Sequence, residues 1–497
     1  MSESKPEDVT TRDDRVETMT ERQYLACPIT PSLGDGFFDV VEAAKFPKTL
    51  LRFRNQRAAE RVGLGHLDNE QWLDHFARFQ PLPGNLETPL ALRYHGYQFR
   101  TYNPQLGDGR GFLFAQLRDP SDQRILDLGT KGSGRTPWSR GGDGRLTLKG
   151  GVREVLATEM LTALGVRTSQ SFSLVETGES LERGDEPSPT RSSVLVRLSH
   201  SHVRFGSFER HAHHQDSARL EKLLRFSIEH YYPELHRSHA TASLVDLATA
   251  WLRAVSQRTV EMCAQWMAAG FVHGVLNTDN MNITGESFDY GPYRFMPAYD
   301  PSFTAAYFDH SGLYAFARQP DAVLWNLDRL VDALSLIASK PKLDRALFDI
   351  KTRFFRALHL SVLRRLGVRP KDAASDAFLA SRTFCVLEQT KVPFEQFFFD
   401  WYGGLESESR AMKNPAHEAY TTPVFRAFRE MLAQYDAARD AALTDPYFTR
   451  TTPCTLVIDE IERVWAAIDK DDNWRPFEEK IAEIRSIPPM PTFTNTL

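Results

Sequence analysis

The chain changes its hydrophobic period once, and that change limits what it can fold into. Between about residues 91 and 199, apolar residues come in short alternating runs separated by glycine-rich loops. From about Leu220 to Arg485 they recur at helical spacing in long segments. Period 2 puts alternate side chains on opposite faces of a strand, whereas period 3.6 gathers a stripe on one face of a helix. A chain that does first one and then the other is an α+β protein with strands and helices segregated.

In the strand-like half, runs 91–94 and 97–102 flank a His95-Gly96 turn, and run 112–116 follows the loop 105–111, QLGDGRG. Glycines allow a backbone to approach phosphates closely. The loop has neither dinucleotide-fold spacing nor a P-loop ending, and a plain hairpin turn uses the same residues. Run 125–131 alternates: Leu126, Leu128 and Thr130 share one face, and Ile125, Asp127, Gly129 and Lys131 share the other. Lys131 therefore ends a strand and can project over the glycine loop, although most strand-end lysines are edge charges. A second glycine-rich element, 140–145, follows.

The spacing predicts a helix over 152–164, stopped by Gly165, with Val152, Val155, Leu156, Met160 and Leu164 as its apolar stripe. It carries Glu154 and Glu159. Glu159 falls within the stripe, so helical geometry alone slightly favours it as a partner for Lys131, although exposed helix acids are commoner. Residues 171–199 read as a hairpin with strands 171–175 and 194–198 around a polar loop. Arg197 lies on the face opposite Val194, Val196 and Leu198, and Arg204 follows soon after. Two guanidiniums can grip phosphate in bidentate fashion. Histidines 200, 202, 211, 213 and 214 lack Cys or carboxylate partners at zinc-site spacing and read as hydrogen-bonded or solvated.

The helical half is expected to hold helices at 244–269, 322–338, 342–367, 373–390, 422–443 and 456–468. No repeat period links them. After the first comes the stretch 273–291, with Asp279 and Asn280 adjacent and Asp289 followed by Tyr290 and Gly291. This oxygen-rich trio suits a hard divalent cation, and its order parallels the base, amide and carboxylate of a kinase site. The same residue types make polar turns.

Composition narrows the classes. A net charge of −5 spread over 497 residues does not point to a nucleic-acid partner. No apolar run reaches membrane-spanning length. Residues 1–22 lack an apolar h-region and read as a disordered leader. Four separated cysteines without CxxC pairing fit a reducing, cytoplasmic setting.

Taken together, LGDGR (106–110), KG (131–132), GDGR (142–145), RE (153–154), HVRFG (202–206), HGVLNTDN (273–280), DYGP (289–292) and WNL (325–327) resemble the selenoprotein O (SelO) family. The resemblance is strong over about 85–335 and looser over the rest. It implies a bilobal protein-kinase-like fold, with a strand-rich N-lobe and a predominantly helical C-lobe with extra C-terminal helices. The implied division is a leader (1–22), an N-terminal extension (23–85), the N-lobe (86–205), the C-lobe (206–335) and a C-terminal helical extension (336–497). The implied activity is protein adenylyltransfer: AMP moves from ATP to Ser, Thr or Tyr hydroxyls, with Mg²⁺ or Mn²⁺. Carried over by motif, Gly107, Gly109, Arg110, Lys131, Asp143, Gly144, Arg197, Arg204 and Asp289 contact the nucleotide. Glu154, not Glu159, partners Lys131. Asp279 accepts the proton, and Asn280 and Asp289 hold the metal.

Two features depart from the family. The chain ends without the Cys or selenocysteine of many members, and residues before 85 match the usual start poorly, as a lineage-specific extension would. Phosphoryl transfer by the same cleft and an inactive ATP-binding scaffold are the alternatives. An intact Lys131, Asp279, Asn280 and Asp289 set counts against the scaffold. The expected partners are ATP and protein substrates, with neither nucleic acid nor membrane.

Overall fold

The computed structural model describes residues 23–184, 186–438 and 442–493. Its first ten strands are β1 (Phe38–Val40), β2 (Leu50–Arg54), β3 (Leu90–Leu92), β4 (Gly96–Gln98), β5 (Thr101–Asn103), β6 (Leu113–Arg118), β7 (Ile125–Lys131), β8 (Leu146–Thr147), β9 (Gln170–Leu181) and β10 (Thr190–Ser199). One antiparallel sheet runs β1-β3-β6-β7-β10-β9-β2, with β8 paired to β10. Both edge strands come from the segment before residue 85. That segment is woven into the sheet, not attached to it.

The alternation in β7 and β10 decides which side chains meet. Leu126, Leu128, Val194, Val196 and Leu198 join Trp72, Phe76, Phe112, Phe114 and Phe172 in one apolar layer. The pleat therefore sends Asp127, Gly129, Lys131 and Arg197 to the other face. The helix Leu148–Ala163 lies on that second face, with Val152, Val155 and Leu156 packed among Leu174 and Leu195. It begins at Leu148, earlier than periodicity predicts, because Gly150 and Gly151 are inside it. Thr147 caps it by accepting from Gly150 N. A Cβ on Gly151 would run into Leu174 and Ser193, so glycine is what lets the helix approach the sheet.

Two other expectations shift. The 97–102 run is not a single strand: β4 and β5 form a separate hairpin, turned through Phe99 and Arg100 at φ 49° and 65°. That turn has no Asn-Gly or Asp-Gly signature, which is why His95-Gly96 reads as the turn. The 171–199 hairpin is longer than expected, since β9 and β10 absorb much of the polar loop.

The helix Leu244–Ala268 anchors the helical part and is followed by Gln319–Leu334, Ile350–Leu366 and Ala373–Thr390. The run 342–367 is broken into Lys340–Ala346 and Ile350–Leu366. The helix expected over 422–443 spans only Pro423–Leu432, and Ala437 then bridges Val368. The last two helices, Ile458–Asp471 and Arg475–Arg485, return to the strand-rich part. Glu462 pairs with Lys149 at 2.7 Å, and the Phe477 ring meets Phe53 at 6.2 Å. Among the described residues no helix is long and apolar enough to cross a membrane. The readings of residues 1–22 and of the last four residues lie outside the described residues.

Candidate active site

Lys131 is the last residue of β7, opposite Leu195 of β10, and is almost fully buried. Its Nζ donates to Glu154 of the Leu148–Ala163 helix and, at 2.6 Å, to Asp289 Oδ1. Arg197 Nη1 lies 3.4 Å from the same Asp289 oxygen and 3.9 Å from Glu154 Oε2. Glu159 is elsewhere: Arg485 Nε donates to it at 2.7 Å. The helical-geometry preference for Glu159 is thus overturned. Periodicity finds a buried stripe but does not say that the C-terminal helix, not the sheet, covers Glu159.

Asp279 and Asn280 sit in a single 3₁₀ turn, Thr278–Asn280, shortly after the Leu244–Ala268 helix. Arg204 fixes this turn from outside. It is buried between the rings of Tyr94 (4.4 Å) and Phe288 (4.9 Å), and its Nη1 donates to Asp279 O at 2.9 Å. Asp279 itself is buried, and its Oδ1 has no hydrogen-bond partner among the described residues. Burial pushes its carboxyl up to about 6, against the opposing pull of Arg204. Asp289 goes the other way. Burial raises it, but Lys131, Arg197, Arg110 and Arg204 outweigh that and hold it well below the usual carboxylate range. Its backbone is left-handed, at φ 66°, and the buried His273 ring bonds the preceding carbonyl, Phe288 O, at 2.9 Å. A non-glycine residue held there stores strain of a kind found at functional sites.

The glycine loops flank this cluster. Gly107 lies under the Trp138 ring so closely that a Cβ would overlap it, and Trp138 is held by Asp39, to which its Nε1 donates at 2.9 Å. Gly109 abuts Trp138 O. Arg110 is exposed at the loop's end. Gly144 accepts from Gly134 N at 3.2 Å, just beyond Lys131. Asp143 does not join the cluster; it bonds Arg183 at 2.9 Å and Arg145 N at 2.9 Å.

Sequence reading missed three contributors. Asp108, inside the first glycine loop, accepts from Arg204 at 3.3 Å and from Leu92 N at 3.0 Å. Glu209 accepts from Thr278 Oγ1 at 2.8 Å, beside Asp279, and burial lifts its carboxyl to about 8. The β4–β5 hairpin lies over the turn: Tyr97 N donates to Thr278 Oγ1 at 2.8 Å and Phe99 N to Asn277 Oδ1 at 3.1 Å. Only the DGR of the loop hinted at Asp108. Nothing local marks the other two.

The donor set fits both a polyphosphate and a hard cation. Arg197 Nε and Arg204 Nε are buried without partners among the described residues, so two guanidinium donors remain available to an anion. Asn280 Nδ2 donates to Val275 O at 3.0 Å, which leaves its carbonyl oxygen as the free end, and the Asp289 side chain is 28% exposed. An amide oxygen and a carboxylate are what Mg²⁺ or Mn²⁺ takes from a protein when phosphates and water complete its shell.

Comparison with known proteins decides the family. The sequence model described as "Protein adenylyltransferase SelO" matches residues 22–485. The chain belongs to the SelO family. A Protein nucleotidyltransferase YdiU of Synechocystis sp. is 44% identical over 472 residues, covering 92% of this chain and 97% of the relative. One from Gloeobacter violaceus is 45% identical over 92% of this chain and 94% of its own. One from Vibrio cholerae is 39% identical over 69% of this chain and 68% of its own. The SelO match begins at residue 22, so the segment before 85 is not a lineage-specific addition.

Proposed function

We propose that the protein is an adenylyltransferase that moves AMP from ATP to Ser, Thr or Tyr hydroxyls of other proteins, in the reducing setting of the cytoplasm. The observation that carries this reading is the gathering of Lys131, Arg197 and Arg204 around Asp289, beside a buried Asp279 with an unpartnered oxygen. Lys131 and Arg197 both reach this carboxylate and Arg204 adds to the positive field there, a concentration of cationic charge suited to a triphosphate. The strand-rich part with its lysine strand and helix acid, followed by a helical part with the Asp-Asn-Asp set, supports a two-lobed kinase-like arrangement.

In this reading Gly107, Gly109 and Arg110 line the nucleotide loop, with Asp143 and Gly144 at its far side. Lys131, oriented by Glu154, and Arg197 and Arg204 hold the phosphates. Guanidiniums there favour the terminal phosphates over a purine, so ATP lies with its α-phosphate toward the acceptor. Asn280 and Asp289 would hold Mg²⁺ or Mn²⁺, which when bound neutralises the phosphate charge that builds up on the leaving group. The acceptor hydroxyl oxygen attacks the α-phosphorus, the bond to the β-phosphate oxygen breaks, and pyrophosphate leaves. Asp279 takes the hydroxyl proton on its unpartnered oxygen.

The test is labelling with ATP marked in turn at the α- and γ-phosphate, in Mg²⁺ or Mn²⁺, with protein acceptors present. Label from the α-position alone, lost in Asp279→Ala, is the expected outcome. Incorporation from the γ-position would make the protein a kinase, and none from either position would make it a nucleotide-binding scaffold.

A further inference from the structure

A cavity of about 1140 Å³ lies away from the Lys131 cluster, between the β6–β7 turn, the residues following β10, and the helices Ser217–Tyr231, Pro233–Ser238 and Leu244–Ala268. Five arginines line it: 118, 124, 167, 237 and 258. Four acids also line it, but two are engaged, Asp122 by Arg124 (2.7 Å) and Glu261 by Arg167 (3.0 Å). Glu229 is 58% exposed and lies 4.0 Å from His230, and Glu234 opens a short helix. Arg118, Arg237 and Arg258 have no carboxylate partner among the described residues. The Arg258 guanidinium is stacked on Tyr232 at 4.1 Å and donates to the Tyr231 carbonyl at 3.3 Å.

The cavity is floored by His200, which is 6% exposed and makes no ring hydrogen bond among the described residues. Burial, then the charges of Arg124, Arg258 and Arg167, push that imidazole down to about 3, so it is neutral and offers no competing positive charge. Arg237 is exposed and Arg118 and Arg258 are half-buried, so their guanidiniums are open to an incoming anion, and a guanidinium fork pairs well with phosphate oxygens.

We propose that this cavity is a second binding site, for a phosphate-bearing small molecule of about nucleotide size, held by Arg258, Arg237 and Arg118. It is independent of the reaction assigned to the Lys131 cluster. It is nonetheless joined to it: His200 N donates to Glu286 at 2.7 Å, and Arg167 O accepts from Ser287 N at 3.0 Å. Those two residues precede Asp289 by a few positions. An occupant is therefore in contact with residues that hold the Asp289 loop.

The test uses the full chain carrying Lys131→Met, which weakens binding at the catalytic cluster, and titrates ADP, inorganic pyrophosphate, inorganic phosphate and adenosine by calorimetry. Saturable binding of ADP or pyrophosphate is expected, weakened about tenfold or more by Arg258→Gln and by Arg237→Gln. Arg237→Gln removes an exposed side chain that has no ion pair among the described residues, and melting curves check that both variants keep the fold. A preference for ADP over pyrophosphate identifies a nucleotide, and the reverse a bare polyphosphate. No saturable binding, binding unchanged by both substitutions, or adenosine binding as tightly as ADP would overturn the proposal.

Discussion

Lys131 and Asp289 are 158 positions apart in the chain and 2.6 Å apart in space. The same ammonium also holds Glu154, so one lysine ties the sheet, the Leu148–Ala163 helix and the Asp289 loop together. If it works through that bridge, Lys131→Ala and Glu154→Ala should each cut AMP transfer, and the double variant should be little worse than either. Glu159→Ala should not couple to Lys131. It should instead lower stability by about 1 kcal/mol, by removing the partly buried pair with Arg485. A double-mutant cycle on initial rates, with melting curves beside it, separates the two. Coupling between Lys131 and Glu159 would reverse the assignment.

Asp289→Ala removes a proposed metal ligand and the carboxylate that Lys131 and Arg197 contact. Transfer should fall by about 10² or more, and metal-dependent ATP binding should go with it, without loss of the fold. Treating the unaltered protein with EDTA should have the same effect. Turnover that survives EDTA would exclude the metal role.

The pH profile should report Asp279. Its carboxyl stands at about 6, so the ionised base is lost as pH falls through that value, and kcat/KM should drop about tenfold per unit below it. Asp289, held well below the usual range, stays ionised there and contributes nothing to the fall. Arg204 pulls Asp279 down, so Arg204→Gln should move the midpoint upward. The stability sign follows. A carboxyl whose folded value is raised favours the fold at low pH and loses that contribution as pH rises through the folded value. Asp279→Asn should therefore melt higher than the unaltered protein at pH 7, with the difference vanishing near pH 4. A profile flat down to pH 5 would exclude Asp279 as the base.

Gly107 is required by the Trp138 ring, not by backbone freedom. Gly107→Ala puts a methyl into the indole, and Asp39 keeps that ring from swinging away. KM for ATP should rise. Adding Trp138→Ala should restore part of the loss, because the obstructing ring is gone. If the second substitution deepens the defect, the ring supports the loop instead of confining it.

Much of this was legible from residues alone. Alternation in 125–131 put Lys131 on the face away from Leu126 and Leu128, and the same argument separated Arg197 from Val196. Both hold because a strand's period is fixed by its backbone. The motif order identified the family, and the helices at 244–268 and 373–390 followed from local spacing.

Other features were decided only by tertiary contact. Whether Glu154 or Glu159 meets Lys131 depends on which element covers each side of the helix, and Arg485, 326 positions from Glu159, takes the second. The edge strands β1 and β2 form only because β3 and β9 offer them unpaired backbone. The carboxyls of Asp279 and Asp289 have the same chemistry in the chain. Burial raises one, and surrounding cations lower the other. A sequence specifies which groups are present and which face each takes; the dielectric and the distant charges that set their acidity exist only once the chain has closed around them.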